Sequence, residues 1–446
     1  MKKIIAFSLA LLAASPSLAQ GEGWSLQDCL DYALKHNLQL QKSKANEQLS
    51  DIGIKESNAE WLPSLSASLS QNMQHRPFQQ DATSFVNGGI TSTASDKTTW
   101  SGSYGVSASW TVWNGGQRSL NIKDSKLAME QAIHATAQKA NSIQEQVAQL
   151  YVQILYMREA LAVNKELLHH DSIVYERGER MFNNGQISRS DLAQLRAQLS
   201  QGRYDVVNAE TQIRNVELSL KQVLELGPDE ALTIAPMHVD DAKVFTSIPA
   251  KSEAYQAALS QLPQMKSSLI SLERADLAVK KAKAGYLPTI NLQGNLGDSY
   301  MSGSTRTWGQ QMKYNFNMSL GLSVQIPIYD KRRTKSSIER AKINQLTAQY
   351  DHLDVEKNIY NTVETCWLNA TNSQYKFIAA TDNVESLQLS YDNTNRQFEQ
   401  GQKDITDLLS SRGRLLQAKQ TLLQDKYTAL LNKALLAFYA GEKIEI

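Results

Sequence analysis

The chain has 446 residues, with 46 Lys and Arg against 45 Asp and Glu, which gives a formal net charge of +1 at pH 7. This balance argues against nucleic acid or any strongly charged macromolecule as the main partner. The length allows two or three ordinary domains. Two cysteines, Cys29 and Cys366, are too few for a disulfide framework, so we expect both to pack as small apolar side chains.

Residues 1–19 are predicted to be a secretory signal peptide. Lys2 and Lys3 precede an apolar run over residues 4–14, and the small-residue site Ser17-Leu18-Ala19 follows. No later stretch approaches the roughly 20 apolar residues that a membrane helix needs. We therefore expect an exported protein that does not cross a membrane with helices.

The first repeated pattern is one helix followed by two strands. Apolar residues recur at helical spacing over residues 25–60, and the helix must end before Pro63 because a residue preceding proline is disfavoured in the helical region. Residues 63–75 and 101–113 alternate apolar side chains with Ser, Thr, Asn and Gln. This period of two predicts two strands, each with one apolar and one polar face, joined by a polar loop at 76–100.

Two long helices come next. Residues 117–181 contain no proline and would form a helix about 100 Å long. Apolar residues in this helix, and again over residues 192–223, are separated by steps of three and four, which is the spacing of a coiled-coil seam. Gly227-Pro228 ends the second helix, and residues 227–250 are predicted to form an irregular connector.

The second half of the chain repeats this order. The sequence FNNGQISRSDL at 182–192 aligns with FEQGQKDITDL at 398–408, 216 residues later. Strands are predicted at 288–301 and 314–329. We therefore divide the mature chain into two tandem repeats, residues 20–226 and 251–446.

Each long helical hairpin has a tip with turn and capping signals. Gly185 and Gly401 are placed to supply the left-handed residue that ends the incoming helix. Ser188 with Asp191, and Asp404 with Asp407, have the spacing of a helix N-cap and its third residue, as in a capping box. Capping alone would explain these three aspartates.

The strands also show features of membrane-spanning β-strands. An ordinary antiparallel sheet packed on a helix would show the same alternation. Here, however, the polar faces are almost entirely uncharged, and aromatic residues gather near the strand ends at two levels. Two such levels flanking an apolar band are typical of a transmembrane β-barrel. One level comprises Trp61, Trp113, Tyr286 and Tyr329, and the other comprises Trp100, Tyr300, Trp308 and Tyr314.

Four strands cannot close a barrel, and open edges are not tolerated in lipid. Eight strands would leave an interior filled by side chains, so an open pore needs at least three chains.

With its two repeats, Leu-Pro at each helix-to-strand junction, paired strands, long helices and Gly-containing tips, the chain resembles the TolC-like outer-membrane efflux family. The resemblance implies an α+β membrane protein in which a long α-helical periplasmic barrel is continuous with a transmembrane β-barrel. Each chain would give four strands to a 12-stranded barrel in a homotrimer. It also implies the outer membrane of a Gram-negative bacterium, with the helices extending through the periplasm.

The resemblance further implies a function as the exit duct of a tripartite efflux or type I secretion system. The implied partners are a periplasmic adaptor (membrane fusion protein), an inner-membrane transporter of the RND, ABC or MFS class, and outer-membrane lipid. It places the adaptor-docking surface at the tips, on Asn184, Gly185, Gln186, Ile187, Gln400, Gly401 and Gln402.

The same resemblance places a periplasmic gate beside these residues. Asp407 falls where relatives often have the first of two constriction aspartates, whereas Ser410 stands at the second position. Lys403 matches a basic residue that latches the closed state, with Asp191 as its expected partner. Asp404 completes the set of gate candidates.

Two other classes of protein, an enzyme and a coiled-coil fibre, fit the sequence less well. The seven histidines are scattered, and no phosphate loop, nucleophile elbow or metal-ligand spacing is present, so we expect no catalytic residue, cofactor or metal. A coiled-coil structural or adhesive surface protein without a pore would account for the long helices but not for lipid-suited strands. The sequence does not identify the exported substrate.

Overall fold

A computed structural model describes residues 23–78, 82–86, 89–93, 96–236 and 240–446. The predicted signal peptide lies outside the described residues. Within the described ranges, no helix combines the length and the apolar character needed to span a membrane.

The elements include those predicted from the sequence, with one predicted helix divided in two and with an additional hairpin and short helix. The helices are α1 (Leu26–His36), α2 (Leu38–Ala59), α3 (Gln117–Asn183), α4 (Arg189–Leu224), α5 (Lys251–Gln261), α6 (Pro263–Ala284), α7 (Trp308–Tyr314), α8 (Arg333–Glu399) and α9 (Ile405–Tyr439). The strands are β1 (Ser64–His75), β2 (Ala82–Val86), β3 (Gly89–Thr93), β4 (Thr98–Asn114), β5 (Thr289–Met301) and β6 (Asn317–Gln325).

The long and short helices of the second repeat begin at fixed separations from their counterparts in the first repeat. Helices α5 and α6 begin 225 residues after α1 and α2, and α8 and α9 begin 216 residues after α3 and α4. The helix predicted over 25–60 is in fact two helices separated at Asn37. The side-chain oxygen of Asn37 accepts hydrogen bonds from the backbone N–H groups of Gln39 and Leu40, so it caps α2 and starts a second helix. In the second repeat Pro263 opens α6 at the equivalent place.

Four strands form one antiparallel sheet in the order β1-β4-β5-β6, so β1 and β6 lie at its edges. The polar face carries a ladder of paired serine hydroxyls, Ser64–Ser109 at 3.0 Å, Ser66–Ser107 at 2.7 Å and Ser70–Ser103 at 2.8 Å. A bulge between Thr111 and Trp113 brings Trp113 opposite Ile290. The register therefore puts Trp113 on the apolar face.

Two local predictions in the sheet region were wrong. The loop predicted at 76–100 contains a short hairpin, in which β2 pairs with β3. The last strand, Asn317–Gln325, is shorter at both ends than the predicted 314–329, and Trp308–Tyr314 form helix α7. Thr307 and Gln310 make a capping box that starts this helix, and the structure therefore places Trp308 and Tyr314 on a helix rather than at a strand end.

The chain divides into two compact units. Of the described residues, the first contains 23–45, His134–Lys266 and Asp354–Ile446. Its largest apolar core surrounds Tyr151 and Ile154, and a separate core near the hairpin tips surrounds Leu408 and Leu415. The second unit, Asn46–Ile133 with Ser267–Leu353, contains the sheet and a small core around Leu277.

Candidate functional site

The two hairpin tips have the same backbone geometry. Gly185 and Gly401 both have φ of +71°, which confirms the predicted left-handed residues. The N–H of Gly185 donates to Phe182 O at 2.9 Å, and the N–H of the next residue donates to Met181 O at 2.8 Å. The second tip repeats this pair of bonds at 3.0 and 2.9 Å. Both tips are therefore Schellman motifs, which satisfy the last carbonyl groups of the incoming helices.

Helix capping beyond the tips differs between the two repeats. Ser188 and Asp191 form a complete capping box, because the Ser188 hydroxyl accepts from the N–H of Asp191 and the Asp191 carboxylate accepts from the N–H of Ser188. At the second tip, the Asp404 carboxylate accepts from the N–H of Asp407 at 2.9 Å. The structure shows no return bond from Asp407 to residue 404. The predicted capping role is thus confirmed for Asp191 and Asp404.

Asp407 has a different partner. Its carboxylate lies 3.1 Å from Nζ of Lys403, and both side chains are substantially exposed. Within one chain Lys403 pairs with Asp407, whereas Asp191 is held in its own capping box. The link from Lys403 to Asp191 of a neighbouring helix stays a prediction. Lys403 and Asp407 lie in the same tip, four residues apart, so the local pair forms without bringing the two hairpins together.

Most of the predicted docking residues are exposed. Asn184, Gly185 and Gln186 at the first tip, and the three equivalent residues at the second, are all accessible to a partner. Ile187 is the exception, because it is half-buried and packs against the core around Leu408. Its repeat equivalent is the exposed Lys403. The two tips therefore offer a small polar surface supported by an apolar core.

A buried ion pair, not identified from the sequence, joins the two hairpins near the tips. The guanidinium of Arg412 on α9 donates two hydrogen bonds of 2.6 Å to the carboxylate of Asp171 on α3. The two side chains are only 9% and 6% exposed. In the amide orientation that satisfies its neighbours, the Gln198 oxygen on α4 accepts from Arg412 at 2.9 Å. Desolvation raises the pKa of Asp171, against the opposing effect of the Arg412 hydrogen bonds.

The sequence places both charged residues of this pair at positions of the apolar seam. Asp171 lies three residues after Leu168, and Arg412 lies four residues after Leu408 and three before Leu415. Both charged residues therefore occupy positions where the seam spacing calls for an apolar side chain. A charge at such a position indicates a buried partner, although it does not identify that partner.

The two cysteines are buried and free. Burial raises the pKa of Cys29 to about 12 and that of Cys366 to about 11. Cys366 packs with Ile359 and Val363 in an apolar cluster. Both thiols are therefore small packing groups with little thiolate character.

The predicted interface aromatics are exposed in the second unit. Trp61, Trp113, Tyr286, Tyr329, Trp100 and Trp308 all present more than a third of their surface to solvent. Alongside them, the apolar sheet face exposes large side chains, including Leu65, Leu69, Met318, Leu320 and Leu322. An apolar surface of this extent marks a site of contact with lipid or protein.

Comparison with known proteins gives a consistent result over the whole chain. The family model described as "Outer membrane efflux protein" matches residues 29–225 and 254–442. Outer membrane protein TolC of Escherichia coli (strain K12) is 24% identical over 445 residues, covering 97% of this chain and 85% of the relative.

Solved structures share the fold. The crystal structures of CusC superpose with a TM-score of 0.78 at 19% identity and cover 95% of both chains. The Campylobacter jejuni CmeC outer membrane channel gives a TM-score of 0.75 at 18% identity, covering 94% of this chain and 87% of its own. These findings support a channel and not the alternative of a fibre without a pore. The chain therefore belongs to the outer membrane efflux protein family, which confirms the predicted family, the fold class of helical and β-barrel parts, and the location in the outer membrane.

Proposed function

We propose that three copies of this chain assemble edge to edge, with β6 of one copy beside β1 of the next. Both strands lie at the edges of the four-stranded sheet, so a trimer would close a barrel of 12 strands. The exposed apolar face would contact lipid, and the face with the serine ladder would line the lumen.

In this assembly the protein is the outer-membrane exit duct of a tripartite efflux or type I secretion system. It passively conducts substrate that an inner-membrane transporter delivers. The polar face of the four strands is built from hydroxyl and amide side chains and glycines, so it binds no particular charged substrate. Substrate choice would then lie with the transporter, whose class this chain leaves open.

The tips would carry both the docking surface and the gate. The observation that supports this proposal is the exposed Lys403–Asp407 pair, which joins the second tip to the first turn of α9. Threefold symmetry would bring three copies of Asp407 towards one axis, where mutual repulsion is relieved by Lys403. Opening would be an untwisting of α8 and α9 against α3 and α4 in which these weak polar contacts break.

The gate is tested by single-channel conductance in planar bilayers. Asp407→Ala combined with Lys403→Ala should raise conductance severalfold, because it removes the contacts that favour the closed tip. The matched control is Asp51→Ala with Lys55→Ala, which removes an exposed pair of the same spacing, 2.7 Å apart, from α2. Equal conductance in the wild type and the tip variant would rule out this gate.

Docking is tested by crosslinking at the tips. Gln186→Cys and Gln402→Cys should each form a disulfide-linked adduct with a periplasmic adaptor carrying a single engineered cysteine, because both positions are exposed. The native cysteines are buried and give little background. Gln222→Cys, exposed at the far end of α4, is the control and should give no adduct. Adducts of equal yield at all three positions would argue against docking at the tips.

A further inference from the structure

The loop between β6 and α8 contains two adjacent residues in an unfavourable backbone conformation. Lys331 has φ of +54° and Arg332 has φ of +68°. Among the described residues, Glu225 is the other non-glycine residue with positive φ. This left-handed region places Cβ close to a carbonyl oxygen, so an L side chain there costs free energy that glycine does not.

The first repeat shows the same turn without this cost. The residues 216 positions earlier are Gly115 and Gly116, with φ of +68° and +81°. A Cβ on Gly115 would come within 2.8 Å of Ala284 O, so packing as well as φ requires glycine there. A Cβ on Gly116 would meet nothing within 4 Å, so only its φ favours glycine. The second repeat therefore keeps the turn but accepts strain in order to carry a lysine and an arginine.

These two residues belong to a dense cluster of positive charge. Lys331, Arg332, Arg333 and Lys335 are all exposed. The carboxylate of Asp330 is used to cap α8, where it accepts from the N–H of Thr334 at 2.7 Å. Arg332 lies 3.2 Å from the exposed carboxylate of Glu339. The other three cations form no salt bridge within the described part of the chain.

The cluster directly follows the apolar band of the sheet. Ile328 is 95% exposed and Tyr329 is 85% exposed, and both lie between the end of β6 at Gln325 and the start of α8 at Arg333. Over eight residues, from 328 to 335, the chain passes from exposed aliphatic to aromatic to cationic side chains. This is the order of hydrocarbon, interface and phosphate across one leaflet of a membrane.

We propose that the basic segment, residues 331–335 at the start of α8, binds the phosphate groups of anionic phospholipids in the periplasmic leaflet of the outer membrane. The inference rests on the proposed function, in that the four strands cross that membrane. The strain at Lys331 and Arg332 is then the cost of presenting two cations to the headgroups.

The test uses the full chain, purified as its natural assembly and reconstituted into phosphatidylcholine vesicles. Brominated phosphatidylglycerol and brominated phosphatidylcholine quench tryptophan fluorescence on contact, and their ratio reports the preference for anionic lipid. The wild type should prefer phosphatidylglycerol by about fivefold for each cation that contacts a headgroup. K331Q/R332Q removes two charges but keeps two left-handed side chains, and it should reduce the preference by about fivefold per cation that contacts a headgroup. K42Q/K44Q removes two exposed cations from α2 and should leave the preference unchanged.

A second variant separates charge from strain. K331G/R332G restores the glycine pair of the first repeat, so it should lose the lipid preference and yet unfold at a higher temperature than the wild type, by about 2 °C or more. K331Q/R332Q should lose the preference with little change in unfolding temperature. A wild-type lipid preference in K331Q/R332Q would overturn the proposal.

Other ligands give distinguishable results. If soluble glycerol phosphate abolishes the preference at matched ionic strength, the basic segment binds free phosphate and the proposal fails. It also fails if the variants keep their lipid preference but lose an acidic protein that co-purifies with the wild type. A wild type that inserts and conducts without any lipid preference overturns this inference alone. Failure of the wild type to insert would instead count against the proposed function.

Discussion

The two hairpin tips share one backbone but use different side chains on it. Both have glycine at φ of +71° and the same pair of Schellman hydrogen bonds. At the first tip, Asp191 completes a capping box. At the second, Asp404 caps the helix and Asp407 pairs with Lys403. One copy thus uses its aspartate for stability, while the other has an aspartate available for another role.

This difference shows that two copies of one fold can keep the same turn while their side chains take different roles. The turn geometry depends on glycine and on backbone hydrogen bonds, so it persists when the surrounding side chains change. Phe182 is 36% exposed whereas its equivalent Phe398 is 3% exposed, so the second tip is also the more firmly packed. The turn between the strands and the long helices shows the same division, with Gly115-Gly116 in one repeat and Lys331-Arg332 in the other.

The largest expected effect comes from breaking the buried ion pair between the two hairpins. Asp171→Ala leaves the guanidinium of Arg412 buried without its carboxylate, which should lower the free energy of unfolding by about 3–5 kcal/mol. Urea unfolding followed by circular dichroism measures this change. Asp171→Leu with Arg412→Met replaces the pair by apolar side chains and should be close to neutral. A single variant as stable as the wild type would show that the pair does not join the hairpins energetically.

A smaller and equal effect is expected at the two tip glycines. Gly185→Ala and Gly401→Ala should each cost about 1–2 kcal/mol, because both have positive φ and a Cβ at either position meets nothing within 4 Å. Gly413→Ala is the matched control, since it lies in the interior of α9 with open space around it and should stabilise the helix by about 0.5–1 kcal/mol. Clearly unequal costs at the tips would contradict the shared geometry.

The smallest expected effects distinguish the role of Asp191 from that of Asp407. Asp191→Ala removes a capping bond and should cost about 1 kcal/mol of stability with little change in conductance. Asp407→Ala removes only an exposed ion pair and should cost about 0.3 kcal/mol while raising conductance. Paired unfolding and bilayer measurements check this. The reverse pattern would exchange the roles of the two tips.

Features with a local or periodic cause were predictable from the sequence. The strand alternation, the seam spacing of three and four and the left-handed tip glycines all depend on residues a few positions apart. The repeat offsets were visible because the second half of the chain shows the same local patterns in the same order. The same applies to the Ser188–Asp191 capping box, whose two members lie within one helical turn. These features established the fold class and the position of the tips.

Features that depend on competing contacts were decided only by the tertiary structure. Asp171 and Arg412 are 241 residues apart, and no local period shows that the two charges meet in one core. Lys403 was predicted to pair with Asp191, whereas within one chain it pairs with Asp407 and Asp191 caps α4. Asn37 splits a continuous helical pattern because its side chain satisfies the N–H groups of the next helix, a gain that apolar spacing does not reveal. Periodicity tells which face of an element is apolar, whereas the partner of each polar group depends on which other elements the fold brings against that face.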